Sequence, residues 1–373
     1  MEATSLVQAG YKVSVISPCP EDDVDHPDRV IDGISVYRYK MPPPTHSKLS
    51  FIYEFWYCLR QTERLVKRVW KNDRFDVIQT CNPPDTFWWI GRKYKKYGVK
   101  FVFDHHDLCP ELYESKYSRK DFLHAGLRWL EKMQFKTADA VIATNESYQK
   151  VATTRGNISP ENVTIVRSGP RRTKFTRVPP DPALKQGFQY LGVYVGVMGV
   201  QDGVDYALRA IRSTIDSGFY DARYIFVGNG DAKPDLLKLC NELELTPYVE
   251  FTGYVSDEVL QKILCTGDLG IAPDPNGPLN NFCTMNKIVE YMAMGLPIVS
   301  FDLEETIVSA QDAAVYVHNN DEAAFGQAMI DLFRDENRRR SMGEFGRRRF
   351  ESELCWENSE VKLIEFYDRL LKQ

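Results

Sequence analysis

The chain has 373 residues, 43% of them hydrophobic and 27% charged, which suits a globular protein of about two domains, each with its own core. Its formal net charge of −5 excludes a general nucleic-acid binder, which carries a basic surplus. Eight scattered cysteines without a CxxC pair read as reduced cytosolic thiols, no apolar run reaches the roughly 18 residues of a membrane span, and no signal peptide precedes the first element.

The predicted elements open with the end of a helix at Thr4–Gly10 and a strand at Lys12–Ser17. Strands follow at Ser35–Tyr39, Asp76–Gln79, Lys100–Asp104, Ala140–Ala143 and Val163–Val166. Between them lie helical patterns at Leu49–Lys71, Asp85–Tyr97, Asp121–Thr137 and Glu146–Thr154. Such alternation means a parallel, doubly wound sheet. The helix Leu49–Lys71 mixes Phe51, Tyr53, Phe55, Trp56, Tyr57 and Trp70 with Arg60, Arg64, Lys67 and Arg68. It reads either as a core-facing helix with a solvated basic face or as a contact with an anionic membrane or lipid-linked acceptor; Trp88 and Trp89 share that ambiguity. The string DHHDLCPE, Asp104–Glu111, follows a strand directly. Its neighbours point in different directions and no third cluster completes a coordination set, so no metal is expected there.

Prolines and basic residues from Ser168 to Pro182 break both periodicities and place a domain boundary near 168–185. Leu191–Val197 is an apolar strand, and its turn MGVQDGVDY leads into a helix at Tyr206–Asp216. Gly199 and Gly203 let backbone amides approach a phosphate there. A strand at Arg223–Gly230 precedes a helix at Asp231–Leu243. Val249–Val255 is a strand and turn, and Ser256 caps the next helix. Asp268–Ala272 is a strand, a loop runs to Cys283, and Thr284 caps a helix with Ile288, Val289, Tyr291, Met292 and Met294 at helical spacing. That helix stops at Gly295, before the strand Ile298–Ser300. Its first turn carries Asn286 and Lys287, with Glu290 one turn on, at the place where parallel sheets bind anionic ligands. A last strand at Ala314–Val317 and helices at Glu322–Phe333, Glu336–Arg349 and Trp356–Leu371 complete the chain. Arg338–Arg340 and Arg347–Arg349 read as a solvated, acid-balanced surface or as an anionic-membrane contact.

The run NKIVEYMAMGLPIVS resembles the signature helix of glycosyltransferase family 4, and VGNGD, FTGYV and DLGIAP precede it in that family's order. LVQAGYKVSVISP resembles the first helix and second strand of the family's N-terminal domain, with the preceding strand missing. The resemblance implies the α/β GT-B fold, two Rossmann-like domains facing across a cleft. The domains would be an acceptor-side domain at 1–168, a linker at 169–185, a donor domain at 186–350, and a helix at 351–373 crossing back to the first domain. It also implies a retaining glycosyltransferase using a UDP- or GDP-linked sugar, a glycan or lipid-linked acceptor, and no metal or further cofactor. The DxD-type strings Asp23–Asp25 and Asp104–Asp107 lack the setting of a metal-dependent transferase. Glu290 would hold the ribose. Lys287 would grip phosphate, and His106, with His105 as neighbouring candidate, would face the donor sugar. Gly199, Gln201, Gly203, Gly230, Val255, Met285 and Asn286 would surround the nucleotide. The chain departs from the family at Phe282, where a second Glu is usual, and at Gln201 and Asp202, where basic residues are usual. A sugar-nucleotide epimerase of the same fold and a non-catalytic nucleotide-sugar-binding subunit are the alternatives. The expected location is cytoplasmic, with a peripheral contact at the inner membrane face and no nucleic-acid partner.

Overall fold

The computed structural model describes residues 1–19, 28–41, 48–117 and 119–372, without the side chains of 48–51. The acidic string Asp23–Asp25 and the Phe51 side chain lie outside the described residues. The chain forms two compact units. One comprises Met1–Tyr113, Arg119–Val166 and Glu360–Gln373; the other comprises Glu114–Ser118 and Arg167–Ser359.

In the first stretch the elements are α1 (Glu2–Gln8), β1 (Ser14–Cys19), β2 (Asp28–Ile31), β3 (Ile34–Lys40), α2 (Lys48–Asn72), β4 (Val77–Cys81) and α3 (Trp88–Lys95). Then come β5 (Lys100–His105), α4 (Cys109–Tyr117), α5 (Phe122–Thr137), β6 (Ala140–Ala143), α6 (Glu146–Thr154) and β7 (Val163–Ile165). Strands β4-β5-β6-β7 form one parallel sheet, and β1-β3-β2 a separate one in which only β2 runs antiparallel. Among the described residues no strand pairing joins the two. Phe101, Val102, Phe103, Val141, Ile142 and Ala143 are buried in succession, the unbroken apolar run of strands covered on both faces. The Asp121 carboxylate accepts from the amides of Leu123 and His124 and so starts α5, while the Asn145 side chain accepts from Tyr148 N at the start of α6. Helix α4 stands where the sequence suggested only a loop. Pro110 falls in its first turn, where a missing N–H breaks no helical bond.

The second unit continues with β8 (Tyr190–Val195), α7 (Val204–Asp216), β9 (Ala222–Val227), α8 (Lys233–Glu242), β10 (Val249–Gly253), α9 (Asp257–Thr266) and β11 (Leu269–Ala272). It is completed by α10 (Asn286–Met294), β12 (Ile298–Phe301), α11 (Glu304–Ala310), β13 (Ala314–Val317), α12 (Glu322–Arg334) and α13 (Glu336–Arg349). Its six strands are all parallel, in the order β10-β9-β8-β11-β12-β13. The chain therefore builds outward from β8 to β10, returns, and builds the other way from β11. The reversal lies between β8 and β11.

Helix α10 buries Ile288, Val289, Tyr291 and Met292 and ends at Gly295, whose φ of 71° is left-handed. The Tyr291 hydroxyl donates to the Ile271 carbonyl (3.0 Å) and accepts from Val195 N (2.9 Å), pinning the helix to β11 and β8 together. The expected cap at Thr284 is not where the helix starts. Its N-cap residue is Met285, and no side chain caps it. The last helix, α14 (Trp356–Lys372), belongs with the first unit from Glu360 onward. There the Tyr367 hydroxyl bonds to Gln79, and Arg369 Nη2 donates to Thr164 Oγ1 (3.0 Å). Among the described residues no helix is long and apolar enough to cross a membrane.

Candidate functional site

Open parallel sheets bind ligands at the carboxyl ends of their strands, in the crevice where strand order reverses. In the second unit the loops leaving β8 and β11 meet there. The β8 loop makes a tight turn at Val200–Asp202 and enters α7 through Gly203, whose φ is 66°. A Cβ on Gly203 would lie 2.1 Å from the Pro273 carbonyl oxygen, so only glycine lets the two loops touch. Gly230, after β9, works in the same way: a Cβ there would lie 2.4 Å from Met198 O. Its role in this structure is therefore close backbone packing. Asn280 ties the loops further, its Nδ2 donating to Gln201 O (2.9 Å) and Pro275 O (3.0 Å).

Lys287 is buried rather than a free surface charge. Its Nζ donates to both carboxylate oxygens of Asp274, at 2.7 and 2.8 Å, and lies 4.9 Å over the Tyr194 ring. Burial works against the ammonium, but the carboxylates of Asp274 and Asp202 outweigh it and hold its pKa above the ordinary value. Asp202 lies in the same cluster. Its Oδ2 accepts from Gly199 N (2.8 Å) and from Gln201 Nε2 (3.3 Å). Burial pushes the Asp202 carboxyl up, with Lys287 pulling the other way. Glu290 is half-buried on α10. Burial pushes its carboxyl up to about 7, against the pull of Lys174 and Lys287. Asn286 is exposed in the first turn of α10, Met285 is half-buried before it, and Val255 is half-buried beyond the end of β10. Phe282 is half-buried in the short turn Asn280–Phe282.

In the first unit, His106 Nε2 lies 3.0 Å from Asp104 Oδ1. The fully buried Asp104 also accepts from Gln79 Nε2 (2.7 Å) and Cys81 Sγ (3.0 Å) through Oδ2. The hydrogen bond to Asp104, opposed by burial, raises the His106 imidazole to about 9. Asn82 shapes the loop, its Oδ1 accepting from His106 N (2.8 Å) and Asp107 N (3.0 Å). His105 is different. It is fully buried among Phe103, Phe135 and Tyr148, and burial lowers its pKa to about 3, which removes it as the neighbouring candidate. The expectation that no cluster of metal-ligating groups forms here overlooked Cys81. Its sulfur and one ligand atom each of Asp104 and His106 lie within 4.8 Å of one another, so these are the residues that could hold an ion.

Residues 2–170 match the family model described as Glycosyltransferase Family 4, and residues 189–335 match that described as Glycosyl transferases group 1. The chain is a glycosyltransferase of the family 4 type. This glycosyltransferase is 24% identical over 311 residues to an uncharacterized glycosyltransferase of Methanocaldococcus jannaschii, a match covering 80% of the chain and 73% of that protein. Sucrose-phosphate synthase from Thermosynechococcus elongatus superposes with a TM-score of 0.83 at 19% identity, covering 100% of the chain and 92% of the synthase. HepE of Anabaena, solved with UDP-glucose, gives a TM-score of 0.67 at 14% identity, covering 91% and 87% of the two chains. Those structural likenesses establish the fold: GT-B, with two Rossmann-like parallel-sheet units.

Within this glycosyltransferase, the residues singled out in the second unit all lie at the carboxyl end of one sheet. Asp274, Asn280 and the capping role of Asp202 were missed, as were Asn82 and Cys81 in the first unit. Asp274 sits 13 residues before its lysine, on the far side of an irregular loop. No periodicity marks such a pair. The only signal was an acid two residues beyond the end of an apolar strand.

Proposed function

We propose that this glycosyltransferase moves a sugar from a UDP- or GDP-linked donor to a glycan or lipid-linked acceptor, with retention, in the synthesis of a surface polysaccharide or glycoconjugate. The observation that carries the reading is the gathering of Glu290, the Gly199 turn and the start of α10 at the strand-order reversal between β8 and β11. Glu290 would accept hydrogen bonds from the ribose hydroxyls. The diphosphate would lie at the start of α10, whose first N–H groups have no partner within the helix, with Lys287 behind them. These groups would stabilise the charge that grows on the leaving diphosphate, which is electrostatic catalysis. His106 is assigned to polarising or positioning the sugar. No protein nucleophile is assigned, since retaining enzymes of this fold are thought to need none.

The acceptor class draws on α2. Ile52, Tyr53 and Trp56, each more than half exposed, share one helical face with Arg60, Arg64, Lys67, Arg68 and Lys71. The basic residues line a groove of about 440 Å³. Aromatics beside cations on one face suit an anionic lipid surface.

UDP-glucose, held by HepE, is the first donor to try. The test is a panel of UDP- and GDP-sugars with glycan and polyprenyl-phosphate acceptors, the anomeric configuration of the product being read by NMR. An inverted product would overturn retention. Nucleotide binding without transfer to any acceptor would favour a non-catalytic binding subunit, a reading supported by the pairing of Lys287 with Asp274, which already engages that ammonium. A new sugar nucleotide formed without acceptor would indicate an epimerase.

A further inference from the structure

The diphosphate reading of the second unit meets an obstacle in its own side chains. Two carboxylates, Asp202 and Asp274, share one buried ammonium, that of Lys287. Asp274 is fixed: it is 1% exposed and spends both oxygens on the lysine. Asp202 is half-buried on a three-residue turn, and its Oδ2 takes the Gly199 amide at 2.8 Å. That amide is one of those the glycine-rich turn would offer to a phosphate oxygen, and a carboxylate oxygen is a close chemical stand-in for one.

We propose that the Asp202 carboxylate is a built-in competitor for the donor diphosphate, occupying the Gly199 amide in the absence of nucleotide and setting how tightly the nucleotide is held. The inference rests on the nucleotide-site reading above. A diphosphate entering this turn meets an anion already seated and must displace it or lie against it. Like charges a few ångströms apart in a partly buried site repel strongly. Of the two acids Asp202 is the one that yields, because its partners are one amide and the Gln201 side chain rather than an ion pair. Burial and the neighbouring Asp274 raise the Asp202 carboxyl, while Lys287, the Gly199 amide and Lys116 pull it the other way.

The test is calorimetric titration of the full chain with UDP, GDP and inorganic pyrophosphate, comparing the wild type with Asp202→Asn, Asp202→Ala and Glu290→Ala, with thermal melts confirming that each variant is folded. Asparagine keeps an oxygen for the Gly199 amide and removes only the charge; alanine decides the matter if the asparagine variant fails to fold. Asp202→Asn is expected to tighten UDP, GDP and pyrophosphate about tenfold, equivalent to roughly 1.4 kcal/mol. Unchanged or weaker binding in Asp202→Asn, with Glu290→Ala still losing UDP affinity, would overturn the competitor role and leave the nucleotide site standing. Should Glu290→Ala also be silent, or no variant bind any probe, both readings fall.

Discussion

Replacing Glu290 by glutamine should make the protein more stable and a poorer binder at the same time. The carboxyl sits on α10 between the buried residues Val289 and Tyr291, and burial holds its pKa up to about 7 instead of 4.5, with Lys174 and Lys287 pulling it down. A raised carboxyl keeps its proton longer in the folded state than in the unfolded one. Its contribution is therefore fully present below pH 4.5 and is lost as pH rises through 7. At 1.36 kcal/mol per pH unit, the charged form costs at most ~3 kcal/mol at pH 8, less where solvent reaches the group. Glutamine has no such proton to lose. Glu290→Gln should thus raise the melting temperature at pH 8 by several degrees, at roughly 2–4 °C per kcal/mol, and leave it unchanged near pH 4. Its affinity for UDP or GDP should fall by roughly 10- to 150-fold, from losing a charge-assisted bond of about 1.5–3 kcal/mol. Differential scanning fluorimetry at both pH values, paired with calorimetry, reads both effects. Equal melting shifts at pH 4 and pH 8 would refute the burial argument, and undiminished affinity would remove Glu290 from the site.

Lys287→Met should strand the buried Asp274 carboxylate and cost ~3–5 kcal/mol in urea unfolding, while adding Asp274→Leu should recover most of it; simple additivity of the two would show that the pair is not coupled. Asp104→Asn should drop the His106 titration from about 9 toward the ordinary imidazole range, followed by NMR. Because the His106 pKa is raised, the stability of that pair is full below pH 6.5 and lost as pH rises through 9, and Asp104→Asn should flatten that loss. His106→Ala should lower turnover more than nucleotide affinity in paired assays, and intact turnover would end its assignment. Trp56→Ala should reduce co-sedimentation with anionic vesicles and leave neutral vesicles unaffected; equal binding to both would argue for a merely solvated face.

Alternating strand and helix periodicity carried most of the fold, because most strands in these sheets are short, apolar and bounded by polar turns; the exposed β2, Asp28–Ile31, is the exception and was not foreseen. Ala140–Ala143, Glu146–Thr154 and Glu336–Arg349 fall where the pattern puts them. What escaped the pattern depended on tertiary partners. Helix α4 begins inside the DHHDLCPE string, where two histidines and two aspartates suggested a loop. After the strand Ile298–Ser300, the string FDLEET suggested a loop able to cap a helix but is too short to show a period, and α11 starts within it. The location of the candidate site was legible because strand ends and helix starts announce themselves locally. Its electrostatics were not, because Asp274 and Asp202 act on Lys287 across loops that have no repeat, and Asp104 acts on His106 only once β5 has ended beside β4.

The return of α14 makes the order of synthesis matter. Gln79 and Thr164 wait for Tyr367 and Arg369, which are synthesised only after the second unit. The amino-terminal unit therefore cannot close until the whole carboxyl-terminal one has been made, so the intervening unit has time to fold first. A fragment cut at Val166 would lack a piece of its own wall, and splitting the protein into two independently folding halves would require grafting residues 360–372 onto the first of them.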